Sequence, residues 1–286
     1  MSTQLNQPAV PTIRKLAVIG GGKMGGAIAT RVVETGLLPP ERVVVSDPVE
    51  PVRRALAERA GIATTADNRA AIEGASTVLL AVVPQVMPAV MESLRGHLEP
   101  DQLVMSIAAG VELGTLQRGL AHAAIIRVMP NTPAQVGQSI SAWMATAEVT
   151  PAQKAEARAI LRAFGRELEV ERERHLDMVT ALSGSGPAWV MLMVEAMTDA
   201  GVQIGLRRDW AYDLALQTMA GSVEWARQTG KHPAELRNLV TTPGGTTAAG
   251  LYAMERGGLR AAILSGIVAA YERCLELGEA ARRPET

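Results

Sequence analysis

The stretch KLAVIGGGKMGGAIATRVVETG, residues 15–36, constrains the fold more than any other part of the chain. A short apolar run (15–20) ends in glycine. A glycine-rich turn follows, and residues 24–36 carry helical spacing up to a terminal glycine. Strand, tight turn and helix in that order open a β-α-β unit. The alternation continues with RVVVSD (42–47) as a strand and PVRRALAERAG (51–61) as an amphipathic helix stopped by glycine. STVLLAVVP (76–84), DQLVMSIAAG (101–110) and AAIIRVMP (123–130) repeat the strand pattern. Strands that are apolar throughout and separated by helices predict a mostly parallel sheet covered on both faces. PAQKAEARAILRAFG (151–165) is expected to form a helix, RELEV (166–170) the last strand, and ERERH (171–175) a charged connector. Beyond it only helices are expected. The sequence thus divides into an α/β domain, 1–171, and an all-α domain, 172–286.

A chain of 286 residues fits about two domains. Hydrophobic residues at 48% supply a core, and aromatics at only 3% make that core aliphatic and alanine-rich. A formal net charge of -1 lacks the basic excess expected for nucleic-acid or anionic-membrane partners. Cys274 is the single cysteine, which precludes an intramolecular disulfide, and no Cys/His cluster has metal-ligand spacing. With no basic or apolar leader pattern in MSTQLNQPAVPT, a reducing, cytoplasmic setting is expected. The apolar stretch 187–206 is interrupted by Glu195 and Asp199, so it reads as a buried helix rather than a membrane span.

Gly20, Gly22 and Gly25 match G-x-G-x-x-G after a strand and before a helix. The first glycine permits the tight turn, the second lets backbone approach a diphosphate, and the third allows helix and sheet to pack closely. Amides at the helix start then attract the diphosphate. Asp47 closes the second strand about 20 residues later, where a carboxylate can accept from an adenosine ribose and repel a 2′-phosphate. The same aspartate before Pro48 also fits a plain turn. Arg53 and Arg54 follow; they fit a charge offset or a solvated helix face.

Several segments together resemble one family, the pyrroline-5-carboxylate reductases: GGGKM (20–24), AVVPQ (81–85), RVMPNTPAQVG (127–137), DMVTALSGSGPAW (177–189) and TTPGGTTAAGL (241–251). The resemblance implies a Rossmann-type, doubly wound, mostly parallel sheet followed by an all-α domain for dimerisation and substrate binding. It implies NAD(P)H-dependent reduction of the C=N of 1-pyrroline-5-carboxylate to L-proline, in a homodimer or larger homo-oligomer. Carried over by position, the dinucleotide meets Ile19, Gly20, Gly21, Gly22, Lys23, Met24, Asp47, Asn68, Ala81, Val82, Val83, Pro84, Ile107, Ala108 and Ala109. The substrate meets Thr246 and Thr247, with Glu173 a weaker candidate. Val83 stands where the family usually has lysine, Lys23 where it often has asparagine, and GQSISAW (137–143) departs from a glycine-rich family pattern. These departures keep a second reading open, a reductase of a related cyclic imino acid. A non-catalytic dinucleotide-binding protein is a third, which the intact PGGTT argues against.

The loop TTPGGTT (241–247) suits the remaining needs of that reaction. Pro243 is expected to pre-set the backbone at a helix start. Gly244 and Gly245 expose amides, and unpaired amides at the positive end of a helix favour a substrate carboxylate. The resemblance assigns Thr247 to the imine nitrogen, with Thr242 supporting the loop; an ordinary threonine N-cap is the plain alternative. Asn131, just past a strand end, fits either a ligand contact or an Asn-Thr-Pro turn. SGSGPAW (183–189), with Ser185 as N-cap and Pro187 as an early helix residue, fits a nicotinamide pocket or close helix packing equally well.

Overall fold

A computed structural model describes residues 13–282 of the chain, and the leader reading of the first twelve residues lies outside them. The strands are β1 (Leu16–Ile19), β2 (Val43–Ser46), β3 (Ala63–Thr65), β4 (Thr77–Leu80), β5 (Leu103–Ser106), β6 (Ile125–Met129), β7 (Ser139–Ala145) and β8 (Gly165–Glu169). They form one sheet in the order β3-β2-β1-β4-β5-β6-β7-β8. Every pairing is parallel except β6 with β7. The order reverses between β1 and β4, which makes a crevice above the carboxyl ends of those strands.

The helices threading this sheet are α1 (Lys23–Glu34), α2 (Glu50–Ala60), α3 (Asn68–Ile72), α4 (Met87–Leu94), α5 (Leu113–Leu120) and α6 (Pro151–Ala163). Two apolar cores lie on the two faces of the sheet. Ile28, Val32, Trp143, Ile160 and Phe164 belong to one. Ile72, Val90, Leu94, Leu116 and Ile125 belong to the other. The helix ends follow from their residues. Gly61 ends α2 at φ 65, and Thr150 and Gln153 form a reciprocal capping box at the start of α6.

After β8 the chain is helical: α7 (Arg174–Val179), a π-turn at Thr180–Gly184, α8 (Gly186–Gln203), α9 (Arg208–Thr229), α10 (Pro233–Leu239), α11 (Thr246–Arg256) and α12 (Leu259–Arg282). Among the described residues, 13–184 joined by 271–282 form one compact unit, and Ser185–Ala270 form another. The last part of α12 thus returns to the sheet-bearing unit.

Four expectations need correction. β7 is a seven-residue strand where none was expected. Its alternation is inverted: Ser139 and Ser141 are buried, with their hydroxyls 3.4 Å apart, while Ile140 is exposed. β3 has only three residues, too short for a period to register. The connector 171–175 already contains the first turn of α7. Residues 187–206 are helical as far as Gln203 but not buried in the single chain, since Met191 and Leu192 are 56% and 62% exposed.

Candidate functional site

The glycine loop is built by crowding on all sides but one. Gly20 sits at φ 102, and its amide donates to the Ser46 carbonyl at 2.7 Å. A Cβ there would lie 2.7 Å from the Ala81 carbonyl oxygen. A Cβ on Gly25 would be driven into the Gly20 carbonyl, and one on Gly21 would meet Leu56, Val52 and Val45. Gly22 differs: a Cβ on it meets nothing within 4 Å. It is the N-cap of α1, makes no side-chain cap bond, and is exposed together with Lys23. Open space above first-turn amides that have no intrahelical acceptor is a cradle of the right kind for a diphosphate. The residues present therefore fit a dinucleotide.

Asp47 lies behind this loop, 9% exposed. Its Oδ2 accepts the Gly21 amide at 2.8 Å and its Oδ1 accepts the Val49 amide at 2.9 Å. The aspartate is both a turn residue and a buttress of the glycine loop. Arg53 Nη1 donates to the carbonyls of Asp47 and Pro48 at 2.7 and 2.9 Å, so this arginine is tied to the turn. Asn68 opens α3; its Oδ1 accepts from Ser46 Oγ at 2.7 Å and its Nδ2 donates to Ser93 Oγ at 3.2 Å. The Ser46 and Ser93 partnerships had no sequence signal.

Ala81–Pro84 follow β4, and Ile107–Ala109 follow β5. The Ala81 amide donates to Ile19 O at 2.8 Å and the Ile107 amide to Leu80 O at 3.0 Å. Val83 is 60% exposed, an apolar tip with no charge to offer. Ile19 and Ala108 are buried, so only their backbones are available to a ligand. The expected dinucleotide residues thus gather at the carboxyl ends of β1, β2, β3, β4 and β5, around the crevice.

Glu173 and Asn131 are both heavily engaged within the protein. Glu173 Oε1 accepts from Arg127 Nη1 at 2.9 Å and from the Leu113 amide at 2.7 Å. Arg127 Nη2 donates to Asp177 Oδ1 at 2.9 Å. Asn131 Nδ2 donates to the carbonyl and hydroxyl of Ser183 at 3.3 and 3.2 Å, and its Oδ1 accepts the Ile140 amide at 3.1 Å. It therefore ties β7 to the π-turn. Gly184 packs there because a Cβ would lie 2.6 Å from Met129 Cε. The clue to Arg127 was a lone cation inside an apolar strand, which demands carboxylate partners. Cys274, on the returning part of α12, has its thiol beside Thr180; burial, then the Asp177 carboxylate, push it above the ordinary thiol range.

A separate candidate feature is the loop between α10 and α11. The Thr241 hydroxyl donates to the Arg237 carbonyl at 2.7 Å and closes α10. The Gly245 amide donates to the Thr242 carbonyl at 3.0 Å across Pro243 and Gly244, and Gly244 has φ 69. Proline second and a left-handed glycine third is the residue pattern of a type II turn. Pro243 therefore serves this turn; it is not the first residue of the helix as expected. Gly245 is the N-cap of α11, without a side-chain cap bond, and Thr246 and Thr247 are the first two helical residues. Neither threonine is the cap. Among the described residues their hydroxyls have no hydrogen-bond partner, Thr246 being exposed and Thr247 half-buried. A Cβ on Gly245 would collide with the Thr242 hydroxyl, so only glycine fits there. Ser185 does begin α8 as its N-cap, with Pro187 in the first turn, but its side chain makes no capping bond.

Among the described residues no group of three His, Cys, Asp or Glu is placed to hold a metal, and no helix is long and apolar enough to cross a membrane.

Comparison with known proteins gives these features a context. Residues 173–277 match the family model described as pyrroline-5-carboxylate reductase dimerisation. Residues 15–110 match that of NADP oxidoreductase, coenzyme F420-dependent. A pyrroline-5-carboxylate reductase of Synechocystis sp. is 44% identical over 265 residues, covering 93% of this chain and 98% of that one. A solved pyrroline-5-carboxylate reductase structure from Coxiella burnetii superposes with a TM-score of 0.87 at 36% identity, over 93% of this chain and 98% of that one. One of a Plasmodium falciparum pyrroline carboxylate reductase with NADP bound does so with a TM-score of 0.84 at 29% identity, over 94% and 99%. Crevice, glycine loop, PGGTT turn and near full-length identity converge: this chain belongs to the pyrroline-5-carboxylate reductase family.

Proposed function

We infer that this chain reduces 1-pyrroline-5-carboxylate to L-proline with NAD(P)H, the last step of proline biosynthesis. Family membership supports the reaction. The observation that carries the residue assignment is the pair of unpartnered hydroxyls at the start of α11, beside a glycine-built turn. Residues 1–171 hold the dinucleotide, and 172–286 hold the substrate and form the contact of a homodimer or larger homo-oligomer. The cytoplasm is the compartment that the lone cysteine fits.

A bound dinucleotide supplies the hydride. The open face at Gly22 and the first-turn amides of α1 hold its diphosphate, with the exposed Lys23 ammonium adding charge that Val83 does not supply. Asp47 retains lone pairs beyond those used by Gly21 and Val49, and these accept from the adenosine ribose. The carboxylate opposes a 2′-phosphate, which leans the chain toward NADH. Asn68, Ala81–Pro84 and Ile107–Ala109 line the rest of the cofactor crevice.

The PGGTT turn holds the small anionic ring. Amides near Gly244 and Gly245 and the positive end of α11 attract its carboxylate. Thr246 and Thr247 offer hydroxyls, and Thr247 faces the imine nitrogen, where it orients the ring and steadies the nitrogen as the carbon accepts hydride. Asn131 and Glu173, the other substrate candidates, are occupied by bonds within the protein. Replacing Thr247 with alanine should lower kcat about 10- to 1000-fold, the scale of losing one oriented donor. Steady-state rates with 1-pyrroline-5-carboxylate test this, and an unchanged kcat removes the assignment.

A further inference from the structure

Arg127 is a cation on a central strand with only 4% of its side chain exposed. A charge in that position needs carboxylates, and both come from the segment after the last strand. Glu173 and Asp177 each accept one guanidinium N–H at 2.9 Å. The same Glu173 oxygen also takes the Leu113 amide at 2.7 Å. Leu113 is the first residue of α5, so it is fixed to the end of the loop that leaves β5. One oxygen atom therefore joins β6, the β5–α5 loop and the start of α7. That loop carries Ile107–Ala109, with the left-handed Gly110 at φ 74 behind them. Glu173 is also a poor partner for an anionic ring, because two carboxylates repel.

We propose that Arg127 and Glu173 are positioning residues. They couple the loop 107–110 to the first turn of α7, so that dinucleotide binding and ordering of residues 172–179 support each other. The coupling rests on the assignment of residues 107–109 to the dinucleotide. It is reciprocal, as any coupling between two binding equilibria must be. Glu173 acts on the reaction through the loop it holds, without touching the substrate.

The test compares the full chain with Arg127→Lys, Arg127→Met, Glu173→Gln and Glu173→Ala. NADH and NADPH are titrated in the absence of imine, amide exchange is followed over 107–116 and 172–179, and steady-state kinetics are measured. In the wild type either dinucleotide should slow exchange in both segments. In Arg127→Met and Glu173→Ala, protection should persist at 107–116 and vanish at 172–179. Their dinucleotide Kd should rise about 5- to 150-fold, the usual range of coupling between sites. KM for 1-pyrroline-5-carboxylate should stay unchanged. Arg127→Lys keeps a cation and Glu173→Gln keeps an acceptor, so both should retain part of the effect. They carry the comparison if the Met and Ala variants do not fold. Undiminished protection at 172–179 in the variants would overturn the coupling. So would a raised imine KM at unchanged dinucleotide Kd, which would make Glu173 a substrate residue. Wild-type protein that binds neither dinucleotide would overturn the cofactor site itself, and the coupling with it.

Discussion

Asp47 carries one observed load and one proposed load, which a comparison of the two dinucleotides can separate. One is the observed buttress under Gly21 and the other is the ribose recognition proposed above. The first serves NADH and NADPH alike; only the second distinguishes them. Asp47→Ala should therefore raise KM for both dinucleotides and, in addition, lower kcat/KM for NADH relative to NADPH by about 10-fold or more, the worth of one hydrogen bond to a charged group. Paired kinetics with the two dinucleotides measure it. An equal fall for both would leave Asp47 a loop buttress alone, and a wild type strongly preferring NADPH would remove the lean toward NADH. The position of Asp47 was legible from its distance to the glycines. Its bonds to Gly21 and Val49 were not, because nothing in a one-letter string says which backbone amides a carboxylate reaches. Arg127 and Glu173 illustrate the same limit: they are neighbours only after a strand, a turn and a further strand–helix–strand have brought them together.

At the level of elements, legibility tracked periodicity. β1, β2, β4, β5 and β6 are buried on both faces, so a mainly apolar run, interrupted in β6 by Arg127, announces each of them. β7 escaped because its buried positions include serines and one of its apolar residues faces out. The PGGTT turn stood out by composition as a candidate site, while the role of Pro243 was not legible, since proline fits a helix start and a turn equally. Element contacts also set pH behaviour. Glu156 of α6 accepts from Thr77 Oγ1 of β4 at 3.1 Å. Burial pushes its carboxyl above the ordinary range, with Thr77 and Arg14 opposing. The folded chain then binds this proton more tightly than the unfolded one, so stability falls as pH rises from the unfolded value through the raised one. Glu156→Gln should remove that loss. It should raise Tm by about 1–3 °C near neutral pH and leave it unchanged in acid. Melting curves across pH check this, and a lower Tm at neutral pH would show that the charge itself is needed.

For the whole molecule, the chain on its own leaves apolar surface unfinished. Val190, Met191 and Leu192 of α8, and Leu214, Val223, Tyr252 and Leu264 on later helices, are all exposed. Exposed apolar side chains in such number on one set of helices fit a protein contact. The matched dimerisation family spans the same helices. Sedimentation should accordingly find a homodimer or a larger assembly, and a stable, active monomer would contradict the oligomer proposed here. Composition shows no basic excess, whereas the exposed apolar faces became visible only with the fold.

The return of α12 to the sheet-bearing unit has a practical corollary for anyone trimming this protein. Erosion from the C-terminus would first injure the half proposed to hold the nucleotide, although that half is encoded mostly at the opposite end. A chain ending at residue 270 should lose NADH affinity and melt earlier in its sheet, while the PGGTT turn keeps every residue it needs.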